Sequence, residues 1–356
     1  METWKRFQHK LDLKCFMTAT TIYDVAKRAG VGIGTVSRVL NNSGNVSENT
    51  RQKVLDAIKE LQFKPNYAAR KLPRKSRQRN IGVLTQPFQS YHSFVERLRG
   101  VQTALNDEED DFELILFSVN SLDQFDDQIT GIAQNGVVEA LVVIDFATTQ
   151  TQRAHLNTVG IPFIEINHHM QADWPCIATD NVLGGAIAAD YLHTLGHQRI
   201  AYIGDVFENP YGFTTSEERF AGFSGKLDAL DLTIPPEYVH LGPHGFEAAK
   251  LLTQELMDQV EKMPTAIFTM SDMQALGCTR ALEAAGYTVP DDVSVLGYDN
   301  LEISDHVGIS TVDQYVELSG KYAIEYLLSI QKDRDAQPDA LPEQVIIPRQ
   351  TTCPVV

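Results

Sequence analysis

The sequence predicts an all-α head followed by an α/β body of two doubly wound parallel-sheet lobes. Three observations predict this division. Apolar residues recur at helical spacing between residues 21 and 61, and short β-rich runs alternate with helical runs from residue 81 onward. The charge also changes sign: residues 1–80 hold 17 Lys and Arg against 6 Asp and Glu, whereas residues 81–356 hold 13 against 41.

The charge division decides which partners are considered. The formal net charge of the 356-residue chain is −17, which by itself argues against nucleic acid as a partner. Because a basic head precedes an acidic body, we look for nucleic-acid binding in the head. No apolar run is long enough to predict a membrane helix, no secretory signal is recognisable, and the four cysteines are too far apart for a disulfide framework. We therefore expect a cytoplasmic protein.

Three short helices are predicted in the head. The first follows Thr21 as a candidate N-cap and ends at Gly30, and the second runs from Ile33 to Leu40. The third follows Ser47 as its N-cap. A helix, a tight glycine-containing turn and a second helix form the helix-turn-helix pattern, whose second helix enters the major groove of DNA.

The outward face of the second helix carries candidate DNA-reading residues. Arg38 can bond O6 and N7 of guanine bidentately, whereas Thr35 and Ser37 suit phosphates and Ile33 suits a thymine methyl group. Gly34 is unusual, because glycine in a helix costs roughly 1 kcal/mol relative to alanine. It either permits close approach to the duplex or only tolerates the tight turn, and the sequence does not choose between these.

Residues 64–80 separate the head from the body and contain seven Lys and Arg. One interpretation is a flexible, solvated linker. The other is a short helix from Asn66 to Leu72, capped by Asn66 and bracketed by Pro65 and Pro73. Such a helix is marginal in water and needs a stabilising surface such as a phosphate backbone.

The body contains eight candidate strands, too many with their helices for one core, so two lobes are predicted. Between two of these candidate strands, residues 181–196 are predicted to form a helix whose apolar face carries Leu183 and Leu192. In such lobes ligands bind at the carboxyl ends of the strands, here in the cleft between lobes. The candidate strands are residues 81–86, 112–118, 139–145, 162–167, 176–180, 199–204, 265–270 and 293–298.

Several motifs identify a family. The head and hinge contain D-V-A-x-x-A-G-V, T-V-S-R-V-L-N, V-S-x-x-T-R and K-P-N-x-x-A-R-x-L, and the body contains ERFAGF, FTMSDMQALG and VSVLGYDN. Over about residues 20–352 the chain resembles the LacI/GalR (lactose-repressor-like) transcription regulators. The resemblance implies a body like the periplasmic sugar-binding proteins, with three crossovers between lobes.

The resemblance also implies the domain boundaries. Residues 1–19 form an extension: either it is a disordered arm, or Met17 is the native start and residues 1–16 are non-native. Residues 20–63 form the headpiece and residues 64–80 the hinge, with a hinge helix over 66–72. Lobe 1 comprises 81–178 plus 309–336, and lobe 2 comprises 179–308 plus 337–352.

For DNA, the resemblance implies a homodimer on a palindromic operator, with the second helix of each head in the major groove. The hinge helices would form on DNA, where a leucine would be wedged into the minor groove. By position, the DNA-binding residues are Thr21, Tyr23, Ile33, Gly34, Thr35, Ser37, Arg38, Asn41, Asn45, Asn66, Lys71 and Leu72.

For the effector, the resemblance implies a small molecule bound between the lobes. Arg219 would hold hydroxyls or a carboxylate, Asp299 would hold sugar hydroxyls, and Phe94 would stack on the effector. Asp145 and Asn167 end strands of the first lobe, and Ser271 stands where the family often has asparagine. Together these groups suit a polyol, so a sugar or sugar derivative is expected.

The prediction is thus a repressor and not an enzyme, with no cofactor and no metal. His193 and His197 have a metal-compatible spacing, but Gly196 breaks the helix between them. Three alternatives stay open: a purine or nucleoside corepressor, control by a partner protein, and a purely sugar-binding or sugar-cleaving protein. The last would use Asp145 and Asp299 as its acid pair.

Overall fold

The computed structural model describes residues 22–40, 46–61, 79–87, 92–108, 111–166, 174–208, 212 and 214–355. The chain divides into two compact units, Met1–Leu72 and Pro73–Val356, which correspond to the head with the predicted hinge helix and to the body. No helix among the described residues is both long and apolar enough to cross a membrane.

The described residues of the head form three helices, α1 (Ile22–Ala29), α2 (Ile33–Leu40) and α3 (Glu48–Glu60). The Ser47 hydroxyl caps α3 by accepting the Thr50 backbone N–H at 3.4 Å, as the sequence predicted. Each helix contributes buried valine or alanine to a small shared core, as its apolar spacing requires. The all-α head is confirmed.

Lobe 1 is built on a parallel sheet whose described strands lie in the order β2-β1-β3-β4-β5. One face packs against α4 and α12, and the other packs against α5 and α6, so the sheet is covered on both sides. The strands are β1 (Arg79–Thr85), β2 (Phe112–Ser118), β3 (Ala140–Ile144), β4 (Phe163–Ile166) and β5 (Cys176–Ile177). The helices are α4 (His92–Asn106), α5 (Leu122–Asn135), α6 (Gln150–Val159) and α12 (Val316–Ser329).

Lobe 2 is built on a second sheet, in which the described strands lie in the order β11-β10-β9-β8-β6-β7. Only the β10–β11 pair is antiparallel among the described pairings. The strands are β6 (Ile200–Asp205), β7 (Val239–Gly242), β8 (Ala266–Thr269), β9 (Ser294–Asp299), β10 (Ser310–Asp313) and β11 (Val345–Ile347). The helices are α7 (Asn181–Thr194), α8 (Thr215–Asp228), α9 (Phe246–Gln259), α10 (Asp272–Ala284) and α11 (Glu302–Val307), with a 3-10 turn at Pro236–Tyr238.

One lobe boundary differs from the prediction. Residues 309–313 were assigned to lobe 1, but β10 pairs with β9 in the sheet of lobe 2. The chain crosses at residues 314–315 and then enters α12, whose apolar residues pack into the core of lobe 1. The strand β10 has only four residues, too few for its periodicity to be recognised in the sequence.

The buried face of α7 also differs from the prediction. Leu183 is 43% exposed, whereas Leu192 and a row of small residues that includes Gly185 are buried. A Cβ atom on Gly185 would lie 2.0 Å from the Arg219 carbonyl oxygen, because α8 packs directly on the backbone of α7. Small side chains, and not a leucine stripe, therefore form this helix contact.

Candidate functional site

Polar residues from both lobes line one cavity in the cleft, with about 370 Å³ of empty space. Many of the lining residues follow parallel strands, whose carboxyl ends meet at the cleft. The lining residues are Gln86, Ser93, Arg97, Asp145, Thr215, Arg219, His244, Met270, Ser271, Asp299 and Gln314. The structure thus brings together four residues named from the sequence: Asp145, Arg219, Ser271 and Asp299.

Arg219 is a buried guanidinium on α8 that is held from several directions. Its Cζ lies 3.7 Å from the centroid of the Tyr298 ring, a cation–π geometry. Its N–H groups donate to Asn181 Oδ1 at 3.0 Å, to the Met270 carbonyl oxygen at 2.7 Å and to Gln314 Oε1 at 3.3 Å. The protein itself therefore fixes the direction in which this cation faces the cavity.

Asp299 ends β9 with a φ of 117°, in the left-handed region that an L-residue rarely occupies. Its carboxylate accepts a hydrogen bond from Gln314 Nε2, and its Oδ1 lies 3.8 Å from Arg219 Nη1. Burial raises the pKa of Asp299 to about 6, although the neighbouring Arg219 cation opposes this rise.

A second buried carboxylate, Asp272, lies behind Asp299. It accepts the Leu301 backbone N–H at 2.8 Å and the Thr311 hydroxyl at 2.5 Å. Burial, and then repulsion by the Asp299 carboxylate, raises the pKa of Asp272 to about 7. Two interacting buried acids, of which Asp299 lines the cavity, therefore have pKa values near neutral pH.

These raised pKa values predict a pH dependence of stability. Between about pH 4 and 7 the folded chain binds more protons at Asp272 and Asp299 than the unfolded chain does. This contribution to the free energy of unfolding therefore increases as the pH falls from 8 to 5. Urea unfolding at several pH values checks this, and Asp272→Asn should flatten the pH profile, whereas the exposed control Asp228→Asn should not. Equal slopes in parent and Asp272→Asn chains would contradict the prediction.

In lobe 1, Arg97 and Asp145 form the corresponding pair. Arg97 Nη1 lies 3.6 Å from Asp145 Oδ2, and Gln86 Nε2 donates to the same oxygen at 3.3 Å. Arg97 is only 2% exposed, yet within the described residues its Nε and the Oε1 of Gln86 have no hydrogen-bond partner. Because buried polar groups are normally satisfied, this corner of the cavity suits a polar ligand.

His244 was not named from the sequence. It lies just beyond β7, and its Nδ1 is 2.9 and 3.1 Å from the two carboxylate oxygens of Asp205. Gln274 Nε2 donates to Asp205 Oδ1 at 2.7 Å and fixes that carboxylate. The strand β7 is four residues long and was not among the candidate strands, so the position of His244 at a strand end was not recognisable.

Phe94 is a correction to the predicted site. It is 3% exposed and packs in the core of lobe 1, away from the cavity lining. Ser93 and Arg97 are four residues apart on α4 and both line the cavity, whereas the Phe94 side chain packs into the core of lobe 1. No Phe, Tyr or Trp ring stands among the described lining residues.

Ser271 and Asn167 complete the predicted effector set. The Ser271 hydroxyl accepts the Gln274 backbone N–H at 3.3 Å, so this serine is the N-cap of α10 as well as a lining residue. Asn167 lies outside the described residues.

The candidate DNA-reading face is on α2. Ile33, Gly34 and Arg38 are exposed, Thr35 and Ser37 are half-buried, and Tyr23 of α1 is exposed. A Cβ atom on Gly34 would meet nothing within 4 Å, and its φ lies outside the left-handed region. The turn therefore does not require glycine here. Six predicted residues lie outside the described part of the chain: Thr21, Asn41, Asn45, Asn66, Lys71 and Leu72.

Two family models match this chain. The model described as bacterial regulatory proteins, lacI family, matches residues 21–66, which include α1–α3. The model of a periplasmic binding protein-like domain matches residues 189–352, within the body.

Known proteins match over nearly the whole length. The HTH-type transcriptional repressor PurR of Vibrio campbellii (strain ATCC BAA-1116) is 33% identical over 322 residues, covering 88% of this chain and 93% of that protein. The structure of a transcriptional regulator CelR–cellobiose complex is 27% identical with a TM-score of 0.64, and the match covers 93% of this chain and 99% of that chain. The lac repressor dimer bound to operator and the anti-inducer ONPF is 24% identical with a TM-score of 0.67, covering 94% and 99%, and shows the shared fold. The chain belongs to the lacI family of bacterial transcriptional regulators, with a helix-turn-helix head and a periplasmic-binding-protein-like, effector-binding body.

Proposed function

We propose that the chain represses transcription in the cytoplasm as a homodimer on a palindromic operator, and that a sugar or sugar derivative in the cleft controls its DNA binding. The main support for this proposal is the set of side chains that line the cavity. Arg97 and Asp145 from lobe 1 face Arg219 and Asp299 from lobe 2. Paired guanidinium and carboxylate groups can donate to and accept from vicinal hydroxyls.

The balance of charge supports a neutral ligand. Each arginine of the lining lies near one aspartate, so the formal charges of these four side chains cancel. A charged ligand would disturb this balance in a buried site, whereas hydroxyl groups would use the donors and acceptors without adding charge. The ligand would control DNA binding by favouring one arrangement of the lobes, which requires different affinities for the two arrangements.

A purine or nucleoside corepressor is the second candidate, because the relative described above is named PurR. The described lining supplies polar groups for a purine edge, but the His244 imidazole is its only aromatic ring, and no Phe, Tyr or Trp is there to stack on the purine face. The remaining alternatives are control by a partner protein and a sugar-binding or sugar-cleaving protein without an operator.

A thermal-shift panel of sugars, sugar acids, purines and nucleosides on the full chain tests the effector class. A ligand at a hundred times its Kd stabilises a protein by about 2.7 kcal/mol, which is easily measured. Stabilisation by purines alone would replace the sugar proposal, and no stabilisation by any compound would favour a partner protein. Operator selection from random DNA separates a regulator from a purely sugar-binding protein, since only a regulator enriches a sequence.

Arg38→Ala is expected to weaken operator binding by about 1–3 kcal/mol and to relax specificity at one base pair, because Arg38 is exposed on the reading helix α2. Binding to the selected operator and to its single-base variants measures both effects. If affinity falls equally on all sequences, Arg38 contacts only phosphate. The exposed lysine Lys27 on α1 provides a comparison, since Lys27→Ala should leave the ranking of sequences unchanged.

Gly34→Ala is expected to stabilise the head by about 0.5–1 kcal/mol, because the added methyl meets no neighbour and alanine favours a helix. If Gly34 serves close approach to DNA, operator affinity should fall in the same variant. Urea unfolding and operator titration give the two values. A more stable head with unchanged operator affinity would show that Gly34 has no part in DNA contact.

A further inference from the structure

Two short stretches of the chain each place one residue in the cavity lining and another in a contact between the lobes. On lobe 1, α4 carries Arg97 into the lining and Arg99 two residues later. On lobe 2, Asp299 of the lining ends β9, and Glu302 begins α11 three residues later. A contact between Arg99 and Glu302 therefore lies two residues along the chain from Arg97 and three residues from Asp299.

Arg99 and Glu302 meet across the lobes. Arg99 Nη2 lies 2.6 Å from Glu302 Oε2, and Arg99 Nη1 lies 2.9 Å from Oε2 of Glu96 on its own helix. The Glu96 carboxylate also accepts a hydrogen bond from the Glu302 backbone. We call Glu96, Arg99 and Glu302 the rim cluster.

The rim cluster places one guanidinium among several carboxylates. Burial, and then the charges of Glu302 and Glu317, raises the pKa of Glu96, while Arg99 lowers it. The hydrogen bond from Arg99 lowers the pKa of Glu302. His306 Nε2 also lies 3.7 Å from Glu302 Oε1, so a histidine flanks the same carboxylate. Removing Arg99 would leave carboxylates of both lobes repelling one another across the rim.

We propose that the rim cluster holds the lobes at the separation at which Arg97 and Asp299 face the same ligand. Arg99 and Glu302 are then positioning residues for effector binding, since neither lines the cavity. The role in effector binding rests on the proposed function, because that function supplies the ligand.

Both side chains are partly exposed, Arg99 by 45% and Glu302 by 55%, so a moderate effect is expected. Exposed ion pairs typically change an equilibrium constant by about two- to five-fold. Charge reversal at Arg99 should exceed this range, because it adds repulsion to the loss of attraction. High salt should reduce the effect, because the screening length at 1 M salt is about 3 Å.

The distance between the lobes tests the proposal directly. Encoded spin-label residues replace exposed Asp127 on α5 of lobe 1 and exposed Glu255 on α9 of lobe 2 in the full chain. Labelled chains are diluted with unlabelled chains so that pulsed electron resonance reports distances within one chain. The measurement needs no effector, so failure of the effector class proposed above would not affect its interpretation.

Arg99→Glu is expected to shift the distance distribution toward longer separations, and the exchange Arg99→Glu with Glu302→Arg is expected to restore it. The matched control is Arg280→Glu, which removes an exposed ion pair with Glu283 inside one helix of lobe 2. It should leave the distribution unchanged. A distribution in Arg99→Glu equal to that of the control, or no recovery in the exchanged pair, would overturn the proposal.

Discussion

Replacement of Arg219 by alanine is expected to lower the free energy of unfolding by about 3–5 kcal/mol, the cost of breaking a buried ion pair. The guanidinium is nearly inaccessible and donates to Asn181, Gln314 and the Met270 carbonyl. Its removal leaves these acceptors unsatisfied and takes away the cation that lies 3.8 Å from the buried Asp299 carboxylate, so the variant also loses the geometry of the cavity.

Urea unfolding of the full chain measures this effect, with Arg280→Ala as the control. Arg280 is an exposed arginine whose ion-pair partner is on the same helix, so its loss should change stability by no more than about 0.5 kcal/mol. In an Asp299→Asn background, Arg219→Ala should cost less, since the uncompensated charge is gone. Equal costs in both backgrounds would mean that Asp299 is not the group that Arg219 stabilises.

Effector response needs a variant that retains the charge. Arg219→Lys keeps the cation but cannot reproduce the planar set of donors that reaches three acceptors. We expect it to fold at lower stability and to lose most of the ligand-induced thermal shift while operator binding persists. A full thermal shift in Arg219→Lys would remove Arg219 from ligand recognition and leave it a structural role.

Gly100→Ala is expected to destabilise the body by about 3 kcal/mol, at the upper end of ordinary overpacking. A Cβ atom on Gly100 of α4 would lie 1.8 Å from the Glu317 carbonyl oxygen of α12. Reciprocally, a Cβ atom on Gly320 would lie 1.9 Å from the Arg97 carbonyl oxygen. The two helices pack backbone against backbone, and no flexible side chain is available to yield.

The control for this substitution is another helical glycine in the same lobe. Gly131 of α5 has only the tip of Asn135 near its missing Cβ, at 3.9 Å, so Gly131→Ala should stabilise the chain by about 0.5–1 kcal/mol. Chemical unfolding measures the change in the free energy of unfolding for both variants. We expect a decrease for Gly100→Ala and an increase for Gly131→Ala if helix packing at Gly100 controls the effect. A Gly100→Ala variant as stable as the parent would show that α4 and α12 can separate freely. Since α4 carries Arg97, the destabilised variant should also bind effector more weakly.

Local sequence determined the head and much of the strand pattern. The helix α2 has the predicted bounds because its apolar residues and the preceding Gly32 act within a few positions. Ser47 caps α3 by a bond to a residue three positions away. The family resemblance named Asp145 and Asp299 as candidate residues, and the strand pattern agrees with it, because both end buried strands and the carboxyl ends of parallel strands face a cleft.

Side-chain direction at the cleft was decided by tertiary packing. Phe94 and Ser93 are adjacent in the sequence, and only the rotation of α4 against its sheet decides which of them lines the cavity. His244 gained a place in the lining because a four-residue strand pairs with β6. Neither the rotation nor the pairing of so short a strand is encoded in local periodicity.

The sequence by itself determined that a basic helix-turn-helix head precedes an acidic two-lobed body, because both follow from local periodicity and charge. Only the tertiary structure decided which side chains share the cavity and its rim. Arg99 and Glu302 are 203 positions apart, and their 2.6 Å contact exists because two lobes fold around three chain crossings. Such contacts depend on how helices pack on sheets, and this packing joins residues that carry no common signal in the sequence.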